Sequence, residues 1–130
     1  MTDLRAEITG YGLRLINDTA AGNAVVRSRR LLLIPRPNDL KLGQINLLFS
    51  DGQTTLVGDV QRLDTGMLAV RVYLPYAEFS VYYNVLRAEK PIQMQLIVDG
   101  AIPAGQAVPL RMAMLYADEP VGEGLRDSQL

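Results

Sequence analysis

Arginine is the residue type through which this chain could do the most chemistry. Eleven of its thirteen basic residues are Arg, and five bases fall close together: Arg27, Arg29, Arg30, Arg36 and Lys41, with Asp39 the only acid among them. A guanidinium presents a planar fork of N–H donors that matches phosphate or carboxylate, so such a segment suits anion binding. Two other readings stand beside it. The segment could be a solvated strand end whose Arg stems cover apolar neighbours, or a subunit contact. The aromatic residues form a second concentration. Five of the eight lie within residues 73–83: Tyr73, Tyr76, Phe79, Tyr82 and Tyr83. Tyrosine joins an apolar ring to a polar tip, which suits the end of a core, a protein interface or a platform on which bases stack.

The missing residue types narrow the chemistry further. The sequence has no His, no Cys and no Trp. Without Cys there is no disulfide, thiolate nucleophile or thiolate metal site. Without His there is no Ser-His-Asp triad and no imidazole acid or base. Carboxylate, Tyr, Lys, Arg and hydroxyl chemistry remain, and no constellation of these stands out. The expectation is therefore a non-enzyme with no cofactor and no metal site. Gly10-Tyr11-Gly12-Leu13 lacks the third glycine and the following helix of a dinucleotide-binding turn. The acids Asp51, Asp59 and Asp64 lack calcium-loop spacing. The segment from Arg27 to Val72 is loosely similar in pattern to PilZ domains, small β-barrels that bind cyclic dinucleotides. It lacks their RxxxR arm, because Leu31 and Ile34 stand four residues after Arg27 and Arg30.

The elements that must position these residues are mostly strands. Ile45, Leu47 and Phe49 alternate with Gln44, Asn46 and Ser50, the period-two signature of a half-buried strand. Asp51-Gly52 predicts a tight turn, a return strand runs from Thr54 to about Leu63, and Asp64-Thr65-Gly66 predicts another turn. Leu68, Val70, Val72 and Leu74 then form a third strand, so the three predict an antiparallel meander. Residues 6–16 form a strand whose Gly10 and Gly12 suggest a bulge or a close backbone approach. Residues 24–34 end in Leu31-Leu32-Leu33-Ile34, a run that predicts a strand covered on both faces. Ile92 to Val98 alternate, and Val108, Leu110, Met112, Met114 and Tyr116 predict one last strand with these five on one face.

Residues 76–89 fit either a strand or a helix. Tyr76, Phe79, Tyr83 and Leu86 make one helical stripe, Pro75 is tolerated at a helix start, and Pro91 stops the element, so helix is the reading taken. The sum is a mainly β fold: about seven strands in an antiparallel sandwich or barrel, with one helix at about 76–89. Residues 1–117 form one domain. Residues 118–130 hold four acids and one base with glycine and proline, which predicts an acidic flexible tail. The absence of Cys, of a long apolar run and of a basic-then-apolar leader points to a cytoplasmic protein. The functional expectation is a protein-interaction or assembly module that self-associates as a homo-oligomer or docks into a larger complex. The alternative is a nucleotide- or nucleic-acid-binding domain that uses the Arg27–Lys41 segment.

Overall fold

Strand β1, Thr2–Thr19, is long enough to serve two neighbours. Its first part, Thr2 to Ile8, pairs with β6, Ile92–Val98, and its second part, Ile8 to Thr19, pairs with β2, Val25–Pro35. The register shifts between Ile8 and Gly10, so a β-bulge sits where the strand changes partners. The bulge also corrects the alternation. Leu4, Ala6 and Ile8 face the core before it, and Tyr11 and Leu13 face the same side after it, opposite the buried Leu33 and Leu31.

In the computed structural model, which describes residues 1–19, 22, 24–51 and 56–117, the remaining elements follow in order. They are β3 (Leu42–Ser50), β4 (Gly58–Arg62), β5 (Leu68–Pro75), a 3-10 turn (Tyr76–Glu78), helix α1 (Phe79–Ala88), β7 (Ala107–Pro109) and β8 (Met112–Tyr116). The eight strands form one curled mixed sheet, a half-barrel, in the order β7-β4-β5-β3-β2-β1-β6-β8. The predicted tail, 118–130, lies outside the described residues, as does most of the predicted Asp51-Gly52 turn. Among the described residues, no helix is long and apolar enough to cross a membrane.

The mainly β fold with one helix is as expected, and the helix occupies the predicted segment. Three details differ. First, the sheet has eight strands and is not wholly antiparallel. Strand β5 pairs in parallel with β3 and antiparallel with β4, so it inserts between the two strands that precede it. Strand β5 buries Leu68, Val70 and Val72, whereas β4 buries only Gly58 and Val60. The more apolar strand takes the interior place. The end of β3 and the start of β4 therefore stand two strand spacings apart, about 10 Å, which a two-residue turn cannot reach.

Second, the predicted last strand is broken in two. Leu110 N–H donates to Gly58 O on β4 (2.9 Å), and the next residue, Arg111, donates to Ile97 O on β6 (2.7 Å). These acceptors belong to the two ends of the sheet. The chain therefore crosses from one end to the other at this point, and the side-chain alternation resets. Val108 and Leu110 face the core before the break, whereas Ala113 and Leu115, paired with Leu96 and Met94, face it afterwards. Met112, Met114 and Tyr116 lie on the other face. Third, β2 is covered on one face only: Leu31 and Leu33 are buried, while Ile34 is 55% exposed.

The core is a continuous apolar cluster inside the curl, and α1 plugs it with Phe79 and Leu86. No buried side-chain N or O of the described residues lacks a hydrogen-bond partner. The predicted Asp64-Thr65-Gly66 turn is present, with Gly66 at φ 86° and its N–H on Leu63 O at 2.8 Å. Gly58 meets a different constraint. A Cβ there would stand 2.0 Å from Arg71 O, so only glycine lets β4 approach β5. Gly58→Ala is therefore expected to cost about 2–4 kcal/mol in denaturant unfolding, whereas Gly100→Ala, with open space around it, should stay within about 0.5 kcal/mol.

Candidate functional site

The basic segment does not form one patch. Arg36 is held by Glu7: its Nε donates to Glu7 Oε2 at 2.8 Å, and its own N–H donates to Glu7 O at 2.7 Å. Lys41 is a turn residue with φ 60°, and its carbonyl accepts Leu68 N–H at 2.8 Å. Asn38 braces this turn by accepting Leu42 N–H on its side-chain oxygen at 3.0 Å. Arg29 faces inward beside Phe49, with its guanidinium 4.9 Å from the Tyr76 ring centre and 4.7 Å from that of Phe79. Arg27 and Arg30 remain at exposed positions of β2, on opposite faces. Directly opposite Arg30 on β1 stands Arg14, a residue that composition did not single out.

Four of the five candidate aromatics form the plug. Phe79 meets Phe49 edge to face at 5.4 Å and stacks on Tyr83 at 5.5 Å. Tyr82 reaches Phe49 at 5.6 Å, and Tyr83 reaches Tyr11 at 6.1 Å. Tyr76 lies under Arg29 at the entrance to α1. Helical spacing explains the grouping, because residues 79, 82, 83 and 86 share one face. Tyr73 lies apart from them, on the outer face of β5. Its hydroxyl donates to Asp59 Oδ2 at 3.1 Å, and Arg71 holds the same carboxylate with two bonds of 3.0 Å.

Burial, with the hydrogen bond to Asp59 second, raises the Tyr73 hydroxyl above its ordinary value, and burial next to Glu78 raises that of Tyr82. Among the described residues, no group of three or more acidic side chains could hold a metal ion. A cavity of about 530 Å³ opens where β1 parts from β6, lined by Ile8, Leu86 and Ile92 and by Glu7, Arg36, Glu89 and Lys90. Its two acids and two bases balance in charge, and Glu7 is already held by Arg36.

One exposed constellation is a feature that residue counting missed. The last β3 partner of β2 is Ser50, opposite Ser28. Beyond that pair, β1 and β2 run on as an arm that is two-stranded among the described residues, with Asn17 opposite Arg27 and Thr19 opposite Val25. Leu15 (65% exposed), Val25 (58%) and Val26 (46%) stand on or at the root of this arm. The other edge of β1 is open as well: β6 pairs no further than Ile8, so residues 9–19 have no strand on that side among the described residues. The detectable signal was length, since an alternating stretch that outruns its partners must project.

Comparison with protein-family models, with curated proteins and with solved structures found no match.

Two outcomes follow for the aromatic residues. Arg29→Ala should destabilise the domain by about 1–2 kcal/mol through loss of ring contact, while Arg27→Ala should fall within about 0.5 kcal/mol, both read by chemical denaturation. The raised tyrosine values fix a sign with pH. A group whose folded value lies above its unfolded one, near 10, contributes stability that is intact below that pH and lost as pH rises through the folded value. Stability should thus decline in the alkaline range, and Tyr73→Phe or Tyr82→Phe should flatten that decline.

Proposed function

We propose that this domain is a non-catalytic assembly module that self-associates or docks into a larger complex, and that the β1–β2 arm is its contact element. The supporting observation is the arm itself. It presents a strand edge with no partner strand among the described residues, together with exposed Leu15, Val25 and Val26, a combination that templates pairing with another chain. The aromatic residues support it indirectly. They are mostly spent on the plug, and through Arg29 they brace the root of the arm. A homo-oligomer is the simplest form of this reading, and cytoplasmic residence fits a cysteine-free chain.

Nucleotide or nucleic-acid binding is a second reading, favoured by one observation. Arg14 and Arg30 stand directly opposite each other, and like charges so placed repel unless an anion lies between them. Against it stand the net charge of −1 and the engagement of Arg29 and Arg36 elsewhere.

The two readings separate experimentally. On the assembly reading, light scattering should give a mass above 14.3 kDa that falls toward that value on dilution. Leu15→Glu with Val25→Glu should return the chain to 14.3 kDa without changing its circular dichroism. On the anion reading, an oligonucleotide should bind with a steep salt dependence that Arg14→Gln with Arg30→Gln abolishes.

A further inference from the structure

The open edge of β1 carries more detail than the assembly reading on which this inference rests. We infer that its partner is a second copy of the same chain, paired antiparallel along residues 13–19 about a two-fold axis at Ile16.

Natural sheets blunt an exposed edge with proline, charged side chains (lysine above all), a bulge or a covering element; the two charges here, Arg14 and Asp18, have opposite signs and so do not by themselves repel a second copy. The segment Leu13-Arg14-Leu15-Ile16-Asn17-Asp18-Thr19 has neither proline nor lysine, and the only bulge of β1 lies before it, between Ile8 and Gly10. Helix α1 touches β1 through Tyr83 and Tyr11, ahead of this segment. The edge is thus regular, apolar at Leu15 and Ile16, and without a strand neighbour among the described residues.

Charge selects the register. In an antiparallel pair, directly opposite side chains share a face, so a two-fold axis between identical strands must fall on a residue. An axis at Arg14 or at Asp18 would set like charges against each other. An axis at Leu15 or Asn17 would oppose each charge to an uncharged residue. An axis at Ile16 places Arg14 opposite Asp18 of the second copy, and by symmetry does so twice. It also opposes Ile16 to its own counterpart and sets the two Leu15 side chains diagonally adjacent on the other face. Neither charged group has an opposite charge across its own hairpin. Arg14 faces Arg30 and donates to Leu13 O at 3.1 Å, while Asp18 faces Val26 and accepts the N–H of Thr19 at 2.8 Å.

The lack of cysteine in the chain makes the test direct. In the full-length protein, Ile16→Cys should form a disulfide-linked dimer on mild oxidation, while Val81→Cys, on the exposed side of α1, should stay monomeric on a reducing-agent-free gel. Arg14→Asp alone and Asp18→Arg alone should each weaken dimerisation about tenfold, and the double exchange should restore it. A wild-type chain that is monomeric at every concentration overturns both the inference and the self-associating form of the assembly reading. A wild-type dimer in which Ile16→Cys does not cross-link, or in which the double exchange fails to restore pairing, overturns the inference alone.

Discussion

Two consecutive backbone donors, Leu110 and Arg111, bind carbonyls at opposite ends of the same sheet. The rest of the architecture depends on this. A sheet whose first and last strands are neighbours in the chain must curl until those ends come within two residues of each other. The curl creates the inside, and the inside creates the core. It also leaves an open end beside β2 and β3, which α1 fills with Phe79 against Phe49. The alternation resets at this crossing because each donor must turn toward its own acceptor.

The same demand for a single apolar face governs the irregularities elsewhere. Strand β1 shifts register between Ile8 and Gly10, and β3 does so between Leu42 and Gln44. In both strands the spacing of apolar residues changes parity at the shift, from Ile8 to Tyr11 and from Leu42 to Ile45. Without the extra residue, half of each strand would turn its apolar side chains to solvent. Bulges therefore preserve the core here rather than interrupt it. The close approach of β4 to β5 at Gly58 belongs to the same economy of space, because it lets Val60 reach the interior.

Much of this was legible from residue patterns. The alternation of Ile45, Leu47 and Phe49, the helical stripe of Phe79, Tyr83 and Leu86, the glycines beside the bulge and the Asp64-Thr65-Gly66 turn all report local geometry, and local geometry is what spacing encodes. Pairing partners are not encoded in this way. Strand β5 alternates as cleanly beside β3 as it would in a meander, so its insertion between β3 and β4 left no mark on its own pattern. Residues 107–116 alternate straight through the crossing, which hid the break. The basic segment misled for a related reason: residues close in sequence but on different faces of a strand and turn meet different surroundings, and Arg29, Arg30 and Arg36 do. Arg14 was inconspicuous until strand pairing set it against Arg30.

The pairing of β1 with β6 also governs when the fold can exist. Thr2 lies opposite Val98, so synthesis must pass Ile92–Val98 before β1 finds its second neighbour. Until then β1 and β2 form a hairpin with an open edge along its full length. Contacts of such wide sequence separation close slowly, because loop entropy must be overcome before any pairing is gained. A nascent chain therefore carries the open edge of β1 until β6 has emerged, even though β2 finds β3 much earlier, and that edge is a surface that a chaperone at the ribosome could meet.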